Sequence, residues 1–310
     1  MIGAILAGGY GKRIRSFSSD TPKGLVPLKD GYTILHRQLF DLSITGIKDV
    51  YLLTGHLGEK IEQTLGEKQM GMSLHYLKEE KPMGTLFSVR NLISIRGDED
   101  VLLRNGDTVS DINFPEFVRF AKDSDYSMVV CISRMRSPFG IVEFSANSVT
   151  SFVEKPLLDY YINSGTYYIK KNCFEYFRKD YLEKDLEKSA FPEIVKRGKM
   201  GVYREDAFWI GIDSEKEIET ARNEYEGRTD YPWGFVRKRK AEGKVTLTEV
   251  YVKSGEKATI DCAAGSVFRV EDGACMIPPG EKLKPGSTKS VGPKLNLESL
   301  ENVRALLIEP

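Results

Sequence analysis

Histidine is scarce in this chain of 310 residues: it has three, His36, His56 and His75, each isolated from the others. A histidine-based zinc site or a Ser-His-Asp triad therefore has little to be built from. The four cysteines (Cys131, Cys173, Cys262, Cys275) are too scattered for a zinc knuckle or a CxxC redox pair. They read as small buried hydrophobes in a reducing compartment. Net charge is missing too, with 45 Lys and Arg against 45 Asp and Glu. That balance excludes bulk attraction to nucleic acid or to an anionic membrane surface. No apolar run approaches the ~18–20 residues needed to cross a bilayer, and the Met-Ile-Gly-Ala-Ile-Leu start carries neither a basic leader nor a cleavage site. The cytoplasm is the expected compartment. No G-x-x-x-x-G-K-[ST] occurs anywhere, so a P-loop is excluded.

What is present is an ordinary globular composition, 41% hydrophobic and 29% charged by count. The length predicts one large domain and a smaller one. Buried-strand patterns at 2–6, 50–54, 73–77 and 101–103 are spaced by helical patterns at 33–43, 58–65 and 85–93. That alternation predicts βαβ units and a Rossmann-like, mostly parallel sheet flanked by helices. Such a sheet places ligands at the carboxyl ends of its strands, which directs attention to the loops after Leu6, Leu77 and Leu103. Strand patterns at 127–132, 140–144, 149–153 and 165–169 read as an antiparallel or mixed extension of the same sheet, and 214–225 as a long polar helix. Residues 1–226 make the first domain and 227–243, rich in glycine, proline and charge, a linker. Residues 244–310, with short β segments between glycine and proline turns, make a small all-β domain. The basic run at 237–240 (Arg-Lys-Arg-Lys) reads as a solvated linker face.

Leu6-Ala-Gly-Gly-Tyr-Gly-Lys-Arg-Ile-Arg15 follows the first strand directly. Glycines there let the backbone approach an anion and aim several N–H groups at it. The run is not G-x-G-x-x-G, because Ile14 stands where the third glycine would fall. Arg13 and Arg15 offer forked donors to phosphate oxygens, and Lys23 follows behind Pro22. A glycine loop, a basic triplet and Pro-Lys within 23 residues point to phosphate binding.

The stretch 6–28 (Leu-Ala-Gly-Gly-x-Gly-Lys-Arg-Ile-Arg…Ser-Asp-Thr-Pro-Lys-Gly-Leu-Val-Pro-Leu) closely resembles the signature of sugar-1-phosphate nucleotidylyltransferases. Members usually carry threonine where this chain has Lys12. Further family-like segments follow in order: Lys81-Pro-Met-Gly-Thr85, Asn105-Gly-Asp107, Phe139-Gly-Ile-Val-Glu143, Glu154-Lys-Pro156, Asn163-Ser-Gly165 and Trp209-Ile-Gly-Ile-Asp-Ser214. The resemblance spans about residues 1–225. It implies Mg²⁺-dependent transfer of a nucleotidyl group from a nucleoside triphosphate to a sugar 1-phosphate, releasing pyrophosphate. No protein nucleophile is required, because the sugar phosphate oxygen attacks the α-phosphorus in line. Bringing one anion against another is the physical difficulty: two unit charges at 4 Å repel by about 4 kcal/mol at an effective dielectric near 20.

The resemblance assigns Arg13 and Lys23 to the triphosphate, and Leu6, Ala7, Gly8, Gly9, Gly11 and Lys12 to the nucleotide loop. Glu79 and Gly84 fall in the base-recognition region. Asp107 becomes a Mg²⁺ ligand and Lys155 the neutraliser of the incoming phosphate. Gly140, Glu154, Asn163 and Gly165 fall near the sugar. Many relatives carry the second metal aspartate in Asp-Ile/Val-Gly-Thr; here glycine and aspartate are exchanged in Gly211-Ile-Asp213-Ser214. Asp213 is taken as the second carboxylate, with an N-cap for the following helix as the alternative.

Tyr231-Pro-Trp-Gly234 and the β-rich tail resemble the cupin module attached to bacterial mannose-1-phosphate guanylyltransferases. No histidine lies beyond His75, so the tail would be a degenerate, metal-free copy with a structural or oligomerising role. The tail and the 15–23 spacing favour GTP with mannose or heptose 1-phosphate, in a homodimer. Two alternatives stand beside this: a non-catalytic nucleotide-sugar-binding regulator, and a cytidylyltransferase acting on an alcohol phosphate. The joint presence of Arg13, Lys23, Asp107 and Lys155 favours turnover, and the segments at 154–155 and 163–165 favour sugar.

Overall fold

Short apolar runs with β-branched residues form the centre of the first unit. In the computed structural model, which describes residues 1–8, 20–239 and 245–310, strands Ile2–Leu6, Asp49–Thr54, Met72–Lys78 and Val101–Asn105 lie parallel. Ala4 stands opposite Tyr51 on one side and Leu103 on the other. Leu157–Ile169 then runs antiparallel between Val101–Asn105 and Met128–Arg136, and Met200–Arg204 pairs parallel with the last of these. The chain steps outward from Ile2–Leu6 to Met72–Lys78, then returns to the opposite side of Ile2–Leu6 to lay down Val101–Asn105. Strand order reverses there, which opens a crevice at the carboxyl ends of those two strands.

Successive residues on these strands face opposite layers. Ala4, Leu53 and Leu103 pack with Leu86, Val89, Leu92 and Ile93 of α3 (Thr85–Arg96). Ile5, Leu52 and Leu102 pack with Leu35, Leu39 and Leu42 of α1 (Ile34–Ser43) and with Phe117 and Val118 of α4 (Phe114–Asp123). Both faces are therefore covered, as a parallel sheet requires. Between α1 and α3 in sequence lies α2 (Gly58–Leu65), buried through Ile61 and Leu65. Thr33 caps α1: its hydroxyl accepts from the His36 N–H, and His36 Nδ1 accepts from the Thr33 N–H. Among the described residues no helix is long and apolar enough to cross a membrane.

One expectation for this unit is corrected. Ile141–Ser145 and Ser148–Val153 do not extend the main sheet; they pair only with each other. Pro156, which has no N–H to donate, and Lys155, at φ 47, break the chain between this hairpin and Leu157–Ile169. The hairpin stands exposed, with Phe139, Phe144 and Phe152 each at least 66% accessible.

The chain divides into two compact units, Met1–Ile218 and Glu219–Pro310. The second is all-β. A six-stranded antiparallel sheet and a four-stranded one share a single core, with Val250, Phe268 and Leu307 from the first meeting Ile260, Ile277 and Leu297 from the second. Period-two burial, as in Lys257–Asp261, marks the half-buried strands. The segment read as a linker carries two strands of this unit: Arg228–Tyr231 pairs with Gly234–Arg239, which pairs with Thr246–Val252. Residues 240–244 lie outside the described part. Arg237, read as part of a solvated face, is 6% exposed and pairs with Glu249 (2.5 Å) and Glu224 (2.6 Å). Its partners lie 12 and 13 positions away on neighbouring elements, and their pairing depends on strand register, which is why the basic run looked like surface.

Three of the four thiols, Cys131, Cys173 and Cys275, are buried as expected, and Cys262 is only half-buried. Burial pushes Cys131 and Cys173 up to about 12 and Cys275 up to about 11, so their thiolates are negligible at neutral pH.

Candidate active site

The crevice at the switch point opens into a cavity of about 560 Å³. Its walls are the four loops that leave the carboxyl ends of the central parallel strands. Leu6, Ala7 and Gly8 form one wall, Thr54–Gly58 the second, residues 78–85 the third and Asn105–Asp107 the fourth. The backbone is pinned on both sides of the first loop: Ala7 N–H donates to the Leu53 carbonyl (2.9 Å), and Gly106 N–H donates to the Leu6 carbonyl (2.9 Å). Only glycine fits at 106, since a Cβ there would fall 2.3 Å from the Leu6 oxygen. Gly9, Gly11, Lys12 and Arg13, along with Arg15, lie outside the described residues, so Gly8 is the only glycine of this loop among the described residues.

Lys23 comes to the cavity from the turn Lys23–Leu25, started by Pro22. Its ammonium donates to Asp107 Oδ2 at 2.8 Å and to Asp213 Oδ1 at 2.7 Å. The two carboxylates are 106 positions apart in the chain, and a small local sheet brings them together. Strand Trp209–Gly211 pairs with Thr108–Ser110, and the Ile212 N–H donates to the Asp107 carbonyl (2.8 Å). That register delivers Asp213 beside Asp107. It is further fixed by Trp209, whose Nε1 donates to the Ser164 carbonyl at 2.8 Å. The amides at the start of the following helix, Glu215–Tyr225, are met by Glu217, whose carboxylate accepts from the Asp213 and Ser214 N–H groups (2.6 and 2.7 Å). The Asp213 carboxylate itself accepts from Lys23.

Two carboxylates converging on one cation position form a hard-oxygen pair. Mg²⁺ is commonly held by one or two carboxylates together with substrate phosphates and water, so the donors present fit that ion. Among the described residues no group of three or more His, Cys, Asp or Glu side chains is arranged to hold a metal.

The third wall is shaped by Glu79 and Gly84. The Glu79 carboxylate accepts from the Ser88 hydroxyl and from the Met83 N–H (3.3 Å), which ties the loop to the first turn of α3. Gly84, at φ 91, sits against Lys184, where a Cβ would lie 2.5 Å from that side chain. Both residues line the cavity.

Other expected residues lie elsewhere. Glu154, Lys155 and Gly140 gather at the base of the exposed hairpin and are not among the cavity walls. Lys155 Nζ lies 3.3 Å from Glu154 Oε1, and a Cβ on Gly140 would fall 3.0 Å from Glu154 Oε2. Asn163, exposed, and Gly165, buried, lie on strand Leu157–Ile169. Asn163 donates to the Tyr167 hydroxyl (2.6 Å) and accepts from the Gly165 N–H (2.9 Å), and Gly165 packs on the Asn105 side chain. Tyr167 in turn donates to Glu187 (3.4 Å), a cavity-wall residue. Burial raises the Tyr167 phenol well above its usual value, keeping it a neutral donor.

The profile of the family described as Nucleotidyl transferase matches residues 2–227. The chain belongs to that family. Among curated proteins, mannose-1-phosphate guanylyltransferase catalytic subunit beta of Xenopus tropicalis is 30% identical over 227 residues, 70% of this chain and 62% of that protein. This chain thus spans somewhat less than two thirds of that relative's length. D-glycero-alpha-D-manno-heptose 1-phosphate guanylyltransferase of Aneurinibacillus thermoaerophilus is 29% identical over 235 residues, 71% of this chain and 96% of the relative. Among solved structures, HddC from Yersinia pseudotuberculosis complexed with GMP-PN superposes with a TM-score of 0.56 at 24% identity, covering 73% of this chain and all of that one. A putative glucose-1-phosphate thymidylyltransferase from Bacillus anthracis gives 0.59 at 21% identity, over 72% and 94%. These structural likenesses support the nucleotidyl transferase fold.

Sequence reasoning missed the second wall. Thr54-Gly-His56-Leu-Gly58 follows an apolar strand as the first glycine loop does, and Leu57 adopts φ 61; that glycine pair after a strand was the available signal. It also missed Glu187, which carries none.

Proposed function

We propose that this chain is a sugar-1-phosphate nucleotidylyltransferase: it joins a nucleoside triphosphate to a sugar 1-phosphate and releases pyrophosphate, with GTP and mannose or heptose 1-phosphate as its pair. The observation that carries this reading is the Lys23 ammonium seated between Asp107 and Asp213 at the mouth of the switch-point cavity. A cation position shared by two carboxylates, beside a glycine-lined wall, suits an exchange between polyanions. The choice of base and sugar rests on the two guanylyltransferase relatives.

In this reading the sugar phosphate oxygen attacks the α-phosphorus, and the bond between the α-phosphorus and its bridging oxygen to the β-phosphate breaks. The electron pair leaves with pyrophosphate. The protein supplies position and charge, not a nucleophile. Mg²⁺ held by Asp107 and Asp213 would neutralise charge on the phosphates. Lys23 turns from the carboxylates to the departing phosphates, joined by Arg13. Lys155 meets the incoming phosphate; its φ of 47, a conformation that non-glycine residues rarely adopt, is the kind of strain that concentrates at ligand sites. Asn163, fixed by Tyr167, and Glu154 take sugar hydroxyls, and the 79–84 loop takes the base.

Pyrophosphate release with each of four triphosphates against a panel of sugar 1-phosphates tests this directly. The expected result is release with GTP and mannose or heptose 1-phosphate. Folded protein that releases none with any pair would instead support a binding protein. Lys23→Met separates the two duties of that side chain. It should lower turnover by about 10²-fold, yet tighten Mn²⁺ binding to the nucleotide-free protein, because the competing ammonium is gone. Equal or weaker Mn²⁺ binding by electron paramagnetic resonance (EPR) would show that Lys23 does not hold the cation position.

A further inference from the structure

One face of α1 grips the turn that presents Asp107. Gln38, fully buried, donates from Nε2 to the Asn105 carbonyl and to the Thr108 carbonyl, both at 2.8 Å. These two carbonyls bracket Gly106 and Asp107. One residue earlier, Arg37 Nη2 donates to the Ser110 carbonyl (2.9 Å), at the end of the short strand that pairs with Trp209–Gly211. The same helix supports Lys23: Ile34 N–H donates to the Val26 carbonyl (3.1 Å), and Gly24 lies so close to Leu35 that a Cβ would approach it to 2.7 Å.

Gln38 is an odd choice for holding a core together. Its Oε1 is buried and, among the described residues, makes no hydrogen bond. A buried amide with half its capacity unmet is destabilising relative to a well-packed apolar side chain. Its donors, however, do what no apolar residue can: one NH₂ group fixes two carbonyls on either side of a single carboxylate. A turn of four residues with both of its ends tied to one rigid helix has little freedom to move that carboxylate.

We infer that Gln38 is a positioning residue for the cation-binding carboxylate Asp107, acting on the proposed nucleotidyl transfer through the backbone of the 105–108 turn. This rests on the functional reading above as far as turnover is concerned; the effect on cation binding does not. Gln38 does not line the cavity, so its effect passes through the backbone it holds. Outer partners of metal ligands typically change metal affinity or activity by about 10–100-fold when removed.

The test uses Gln38→Met, similar in length but without donors, in the full chain. Mn²⁺ alone, followed by EPR, should bind about 10–100-fold more weakly than to wild type. In the pyrophosphate assay kcat should fall by about the same factor, with KM for both substrates changed less than about twofold. In an Asp107→Asn background Gln38→Met should have no further effect on Mn²⁺ affinity, because coupled groups are non-additive. Unchanged Mn²⁺ affinity, or a loss that adds in full to that of Asp107→Asn, overturns the inference. If Gln38→Met fails to fold, wild-type protein decides: the Gln38 side-chain amide resonances should shift when Mg²⁺ is titrated without nucleotide, and unmoved resonances refute the role. Wild-type protein that releases no pyrophosphate with any pair, while Gln38→Met still loses Mn²⁺, would sink the enzymatic reading and leave the positioning role standing.

Discussion

Asp107→Asn and Asp213→Asn should each lower kcat by about 10³-fold, the upper range for losing one preorganised electrostatic group, and leave thermal stability nearly unchanged. Both effects follow from the same geometry. The two side chains are 42% and 59% exposed and share one lysine, and exposed ion pairs contribute little to folding. In the proposed reaction they offer a place where positive charge can sit against phosphates that otherwise repel each other. Amide replacements keep shape and hydrogen-bonding capacity but remove that charge. Circular dichroism melts alongside steady-state pyrophosphate release check both halves. Should Asp213→Asn keep wild-type turnover and melt early, Asp213 acts at the start of its helix and the second carboxylate must be sought elsewhere.

Asp41→Ala should do the reverse, reducing stability by about 3–5 kcal/mol and the melting temperature by about 10 °C. Asp41 is fully buried. One carboxylate oxygen lies 2.8 Å from Arg37 and the other 2.7 Å from Arg104, both almost wholly buried. Arg104 also stacks over the Phe114 ring at 4.4 Å. Removing the shared anion takes from Arg104 its Asp41 carboxylate and leaves Arg37 with the more distant Asp111 at 3.7 Å, so much of the desolvation in this low-dielectric interior is no longer offset. Asp41→Leu combined with Arg104→Met should cost less than Asp41→Ala alone, since it removes a buried charge along with its partner. A loss under about 1 kcal/mol for Asp41→Ala, a value typical of surface pairs, would show that these charges are better solvated than their burial indicates.

Much of the first unit was legible because its information is local. Ile2–Leu6 and Val101–Asn105 are apolar runs that end at glycine turns, and a parallel sheet then dictates where their loops meet. Asp107 was legible for the same reason, lying in Asn-Gly-Asp at a strand's end. Asp213 was singled out despite the exchanged Gly211, but its proximity to Asp107 depends on the pairing of Thr108–Ser110 with Trp209–Gly211, a contact across about a hundred residues that no periodicity announces. Gln38 and Asp41 read simply as polar positions on an amphipathic helix, because burial of a polar residue is decided by partners far along the chain. Arg228 is a further case. It looked like linker charge, yet its Nε meets Asp230 at 2.7 Å and its guanidinium lies 3.8 Å from the centre of the Phe235 ring. Proline and tryptophan at 232–233 form the turn between two paired strands. Composition alone does not distinguish a hairpin turn from a hinge.

The central claim is that Asp107 and Asp213 share one cation position, held by Lys23 until a divalent ion and a triphosphate arrive. Crystals soaked with Mn²⁺ and a non-hydrolysable GTP analogue, recorded at the manganese absorption edge, test it most directly. A single anomalous peak bonded to oxygens of both carboxylates is expected, with the Lys23 ammonium moved onto the phosphates. A peak bonded to only one of the two aspartates, or Lys23 still lodged between them, would contradict it.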